Sequence, residues 1–128
     1  MFIQKTLLGT ALTFILALAG CGNGSVTDYS EFAQCLTDQE VVMYGAFWCP
    51  HCADQKEMFG DAFDNITYIE CDPKGEEANP ELCLVKGIEG YPTWIRSDGE
   101  RVSGTQTMEE LAKFSTCKLP VTEAPPTS

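Results

Sequence analysis

The residues in this 128-residue chain best suited to do chemistry are Cys49 and Cys52, in the run Trp48-Cys49-Pro50-His51-Cys52. Two cysteines two residues apart close to a disulfide or open to a dithiol with little backbone movement. An apolar run precedes them at residues 41–47 and reads as a strand, so the pair falls where a strand gives way to a helix. At a helix start the first sulfur faces the positive end of the dipole and unpaired N–H groups. That favours thiolate, the form that attacks disulfides. Pro50 sits in the first helical turn, where proline is best tolerated. The chemistry this spacing points to is thiol–disulfide exchange, first as a disulfide oxidase or carrier; the alternatives are a reductase or isomerase and a non-catalytic binding module that uses its cysteines only as staples.

Elements must hold that pair in place, and the sequence predicts a set of them. Residues 28–38 read as a short helix with Phe32, Ala33, Cys35 and Leu36 on its apolar side. The 41–47 run is apolar on both faces, as expected of a central strand covered by helices. The helix after Pro50 places Met58, Phe59, Ala62 and Phe63 at helical spacing, with Gly60 as a weak point or bend. Residues 67–71 form the next strand, followed by a turn-rich loop at Asp72-Pro73-Lys74-Gly75. Asn79-Pro80 reads as an N-cap and first-turn proline, opening a helix that Gly87 stops. Asp98-Gly99, flanked by residues 93–97 and 100–103 that read as two short strands, is a hairpin signal. Thr107 with Glu110 three residues on is a capping box for the last helix. The predicted order is helix, then β-α-β-α-β-β-α, an α/β fold in a single domain.

The first twenty residues stand apart. Lys5 precedes an apolar stretch from residue 7 to residue 19, too short for a typical membrane span and proportioned like a signal peptide. It ends in Leu18-Ala19-Gly20-Cys21, which resembles a bacterial lipobox. The resemblance implies cleavage before Cys21, lipid attachment on Cys21 and a membrane anchor. Residue 22 is Gly rather than Asp, so the familiar inner-membrane retention signal is missing. The expected organisation is a lipoprotein signal peptide at 1–20 and a flexible tether at 21–27. A folded domain follows at 28–118, with a Pro/Thr-rich disordered tail at 119–128. The expected location is outside the cell membrane or in the periplasm. Lys and Arg number 8 against 19 Asp and Glu, a net charge of −11. That acidity leaves no basic patch for nucleic acid.

With Cys21 set aside, six cysteines remain, which suits disulfides in an exported small domain. If Cys49 and Cys52 are the active pair, Cys35, Cys71, Cys83 and Cys117 allow three arrangements. We favour Cys71–Cys83, a staple from strand end to following helix, with Cys35–Cys117, tying the first and last helices together. Zinc is the competing use of Cys-x-x-Cys, but a second close pair is missing and His51 is the only histidine. Covalent haem needs His after the second cysteine, where Ala53 stands. No metal and no cofactor beyond the redox pair are expected.

Trp-Cys-x-x-Cys after the first strand, with Tyr91-Pro92-Thr93 about forty residues later and this element order, resembles the thioredoxin family over most of residues 28–117. The resemblance implies a thioredoxin-like fold, a central mixed sheet flanked by helices. It makes Cys49 the exposed nucleophile and Cys52 the buried resolving thiol. It also implies a cis bond before Pro92, where the backbone of Tyr91 pairs with an extended substrate strand. Trp48, Tyr91, Pro92 and Thr93 would then line the substrate site. The runs 47–52 and 87–94, with Gln55-Lys56, Cys71 and Cys83, are similar to one group in particular. These are the thioredoxin-like domains fused to or partnered with bacterial vitamin K epoxide reductase homologues, quinone-using membrane enzymes. The implied partners are such an enzyme and cysteine-containing exported proteins; a monomer is expected, since no dimerisation segment is evident in the sequence.

Pro50 and His51 between the cysteines resemble the dipeptide of strongly oxidising periplasmic oxidases. His51 can offer a hydrogen bond or positive charge to the neighbouring thiolate. A stabilised thiolate makes the disulfide the stronger oxidant. One departure stands out. Many thioredoxin-like proteins carry a buried acid six residues before the first cysteine, and here Met43 occupies that position. Proton transfer must then use water or another group. Glu70 is a candidate, but it reads first as a solvated strand carboxylate.

Overall fold

The computed structural model describes residues 26–122. The signal segment, Cys21 and residues 123–128 lie outside the described residues. Helix α1 spans Ser30–Asp38, β1 Val42–Gly45, α2 Pro50–Phe59, β2 Thr67–Glu70 and α3 Pro80–Val85. Strand β3 covers Thr93–Ile95, β4 Arg101–Ser103 and helix α4 Met108–Ser115. The strands form one mixed sheet in the order β2-β1-β3-β4, with β1 parallel to β2 and antiparallel to β3. Helices pack on both faces, and alternation along β1 explains how. Met43 points into a cluster with Phe32, Phe59, Trp94 and Leu111, contributed by α1, α2, β3 and α4. Tyr44 points the other way, to Ile95, to Cys71 and to Cys83 on α3.

The larger core is held by aromatic packing. Phe32 and Phe59 stack at 6.1 Å, and Trp94 lies 6.1 Å from Phe59. Such pairs contribute beyond their buried area. The helix ends follow local chemistry. Asn79 Oδ1 accepts from the Leu82 N–H at 3.2 Å. Thr107 and Glu110 form a reciprocal capping box, at 3.1 Å and 2.8 Å. The hairpin closes through Arg96 N–H to the Glu100 carbonyl at 2.9 Å.

Several boundaries differ from those predicted. Strand β1 stops at Gly45, not at residue 47, because the chain turns and the Cys49 N–H bonds the Ala46 carbonyl at 3.1 Å. That turn puts Phe47 and Trp48 in solvent, at 57% and 58% exposure. Helix α1 begins at Ser30, whose N–H is taken by the Asp28 carboxylate. Helix α2 ends at Phe59, and residues 60–65 continue as a 3-10 helix after Gly60 turns the backbone. Cys117 lies just past α4 rather than within it. Leu119 packs against the core, so the packed chain runs past residue 118 into the segment expected to be a disordered tail.

Two disulfides join these parts. Cys35–Cys117 spans a sequence separation of 82, and Cys71–Cys83 one of 12. In the chain-entropy view, loops of those lengths stabilise the fold by about 4.5 and about 3 kcal/mol.

Candidate active site

Cys49 and Cys52 are the two free cysteines among the described residues. Cys49 is the N-cap of α2 and Pro50 its first residue, so both sulfurs lie in the opening turn of a ten-residue helix. The helix starts there because proline needs no hydrogen-bonded N–H at that position. The loop before β3 packs against the pair. Its Tyr91–Pro92 bond is cis, and the Cys49 thiol donates to the Tyr91 carbonyl at 3.7 Å. The Gly104 N–H bonds the Pro92 carbonyl at 2.8 Å, tying this loop to the end of β4.

Cys49 was expected to be an exposed nucleophile. It is only 5% exposed, against 1% for Cys52, because the Tyr91–Pro92 loop closes over it. Burial pushes the Cys52 thiol up to about 12, with Cys49 beside it adding to the effect. Cys52 is a protonated thiol at neutral pH.

The rim is aromatic. Trp48 meets Tyr91 edge to face at 6.1 Å, and its indole N–H donates to Asp72 Oδ2 at 2.7 Å. The Asp72 carboxyl is held below its ordinary range, first by the Lys74 N–H and then by this indole. His51 and Pro50 are exposed. The His51 carbonyl accepts from Thr105 Oγ1 at 3.1 Å. Thr93 is placed differently from the expected substrate contact. It is 2% exposed, and its hydroxyl is committed to the Gly90 carbonyl at 2.7 Å. That hydroxyl braces the loop from within.

Glu70 requires a correction. It is not a solvated strand carboxylate but a buried one, 5% exposed. Its Oε2 accepts from the Tyr68 hydroxyl at 2.8 Å and its Oε1 from the Asp72 N–H at 2.9 Å. Burial is tolerated because both oxygens are satisfied. The alternation Tyr-x-Glu on a strand was the available signal, since it puts both side chains on one face.

Gln55 carries a role that the sequence reading did not give it. Fully buried on α2, it accepts from the Trp94 indole at 3.2 Å and from the Gln106 N–H at 2.8 Å, and donates to the Gln106 carbonyl at 3.1 Å. It pins the redox helix to β3 and to the segment before α4. Its position three residues after Cys52, on the inward face of a helix, was the readable clue. Among the described residues no group of three or more His, Cys, Asp or Glu side chains is placed to hold a metal ion.

No family model matches the chain. It is 46% identical over 77 residues to the thiol-disulfide oxidoreductase LTO1 of Arabidopsis thaliana, covering 57% of this chain and 20% of that protein. A Dictyostelium discoideum protein provisionally named a protein disulfide-isomerase is 30% identical over 105 residues, covering 68% of this chain and 24% of that protein. The chain thus spans about a fifth to a quarter of the curated relatives it matches. The crystal structure of a glutaredoxin from Archaeoglobus fulgidus superposes with a TM-score of 0.40 at 25% identity, over 62% of this chain and 88% of that one. That superposition is too loose to identify a fold; the strand order and the placement of the cysteine pair do so. The described residues form a thioredoxin-like domain, and the chain is similar in sequence to thiol–disulfide oxidoreductases.

Proposed function

We propose that this protein is an exported thiol–disulfide oxidoreductase, tethered to the membrane through Cys21, that donates disulfides to secreted proteins. The observation that carries the reading is the free Cys49/Cys52 pair in the first turn of α2, packed against the Tyr91 carbonyl. A substrate thiolate attacks the Cys49 sulfur of the Cys49–Cys52 disulfide, and Cys52 leaves. A second substrate thiolate attacks the substrate sulfur of the mixed disulfide and displaces Cys49. The substrate gains a disulfide, and the protein is left as the dithiol. Trp48 and Tyr91 form the apolar rim against which the substrate lies, and Pro50 and His51 tune the couple. A quinone-linked membrane enzyme of the vitamin K epoxide reductase type then withdraws the two electrons.

A second reading, isomerase or reductase, draws support from the name of the Dictyostelium relative. Two experiments separate the possibilities. In Cys52→Ala, mixed disulfides with substrates are expected to persist as reductant-sensitive adducts, and their absence would overturn any catalytic reading. The potential of the Cys49–Cys52 couple then sets direction. About −120 to −180 mV supports disulfide donation or isomerisation, and about −270 mV supports reduction.

A further inference from the structure

Cys52 is buried and protonated, yet each catalytic cycle requires its sulfur to become a thiolate or leave as one. We infer that Tyr68 and Glu70 form a proton relay that serves the Cys52 sulfur. This inference rests on the redox reading of Cys49 and Cys52. A Cβ added at Gly45 would lie 2.8 Å from Cys52 Sγ, 3.1 Å from Tyr68 Cε2 and 3.3 Å from the Tyr68 hydroxyl. Thiol and phenol therefore share the space that Gly45 leaves open. They are at most roughly 6 Å apart, a gap of the size that one water molecule spans. The phenol is in turn hydrogen-bonded to Glu70 at 2.8 Å. The chain of groups runs from Cys52 through Tyr68 to Glu70.

Two features show a built arrangement. First, Glu70 is almost wholly enclosed. Gly75 closes over it so tightly that a Cβ there would lie 2.6 Å from Glu70 Cδ. A buried carboxylate is costly unless its oxygens are hydrogen-bonded, and one of the two bonds that satisfy Glu70 comes from the Tyr68 hydroxyl. Second, the register of β1 and β2 sets Met43 beside Tyr68, so the inert thioether and the phenol are cross-strand neighbours. The polar group at this level of the sheet comes from β2. Lys56 adds a positive charge, its ammonium 4.0 Å from the Tyr68 ring centroid. The other titratable groups around the relay are Cys49, Asp72 and Tyr91.

The step balances without an outside base. The Cys52 thiol gives its proton through one water to the phenolic oxygen, as Tyr68 passes its own to Glu70 Oε2. The Cys52 thiolate attacks the Cys49 sulfur of a mixed disulfide. The Cys49–Cys52 bond forms, the bond from Cys49 to the substrate sulfur breaks, and the substrate leaves as thiolate. Glu70 returns its proton to water or to that thiolate. In the disulfide-donating direction the same groups run in reverse and protonate Cys52 as it leaves.

The test is stopped-flow oxidation of the reduced protein by glutathione disulfide, with acid quench and mass analysis, in Tyr68→Phe, Glu70→Gln and the double variant. Attack by Cys49, which forms the glutathione adduct, should keep its wild-type rate. Resolution by Cys52 should slow about 100-fold at pH 7 in each variant, within the range for positioned proton transfer. The double variant should be no slower than the single ones. The deficit should shrink as pH rises and hydroxide takes the proton instead. Resolution at the wild-type rate, or a loss equal at every pH, would overturn the relay while leaving the redox function intact. A wild-type protein that never acquires glutathione at Cys49 would overturn the redox function, and the relay with it.

Discussion

The burial of Cys52 makes the reduction potential depend on pH in a way that can be calculated. Each proton taken up with the two electrons lowers the potential by about 30 mV per pH unit. The reduced form holds a proton on Cys52 as long as the pH stays below about 12, the value to which burial and the neighbouring Cys49 push it. Between pH 8.5 and 10.5 the potential should therefore fall by at least about 60 mV. If Cys52 had the ordinary cysteine value of about 8.5, its own contribution over the same interval would be under about 10 mV. The assay is equilibration against a dithiol couple of known proton count, with the redox state read by thiol tagging and mass. The same mass confirms that Cys35–Cys117 and Cys71–Cys83 stay closed. A potential that levels off in this window would refute the claim that burial keeps Cys52 protonated.

Three further outcomes are expected. In the reduced protein, the folded-state value of Cys52 is raised above the unfolded one. Its contribution to stability is therefore complete below about pH 8.5 and lost as pH climbs toward about 12; over that interval urea midpoints of the reduced form should fall further than those of the Cys49–Cys52 disulfide form, in which only Tyr44, Tyr68 and Tyr91, all raised by burial, add such a loss. Gly45→Ala forces a methyl against Cys52 Sγ at 2.8 Å, and should destabilise the reduced protein by about 1–3 kcal/mol in urea unfolding. Thr107→Ala removes the oxygen that accepts from the Glu110 N–H at 3.1 Å and should cost about 1 kcal/mol, measured the same way, with exchange activity unchanged.

Local signals marked out the elements that frame the site. Thr107 with Glu110, Asn79 with Pro80, and Asp98-Gly99 each state a cap or turn within four residues, and those contacts form without reference to the rest of the chain. Cys49 and Cys52 at the head of α2 were legible for the same reason, since Pro50 sets where the helix begins. What depended on tertiary contact was not legible. The burial of Glu70 is decided by Gly75 folding back over it and by Tyr68 and Asp72 supplying hydrogens, none of which a strand pattern reveals. The near-closure of Cys49 depends on a loop 42 residues away in sequence. Phe47 looked like interior strand because it is apolar, but the Ala46 to Cys49 turn swings it out beside the redox pair.

The Cys35–Cys117 bond also governs how the domain bears mechanical load. Its two residues are 82 apart in sequence, yet their Cα atoms lie 6.0 Å from each other. Tension applied between residues 26 and 122 runs along the short segments outside the bridge and crosses through the sulfurs. The sheet, the redox helix and the Tyr91–Pro92 loop all lie inside the closed ring, so the pull bypasses them. Reducing that one bond would route the same force through the hydrogen bonds between strands.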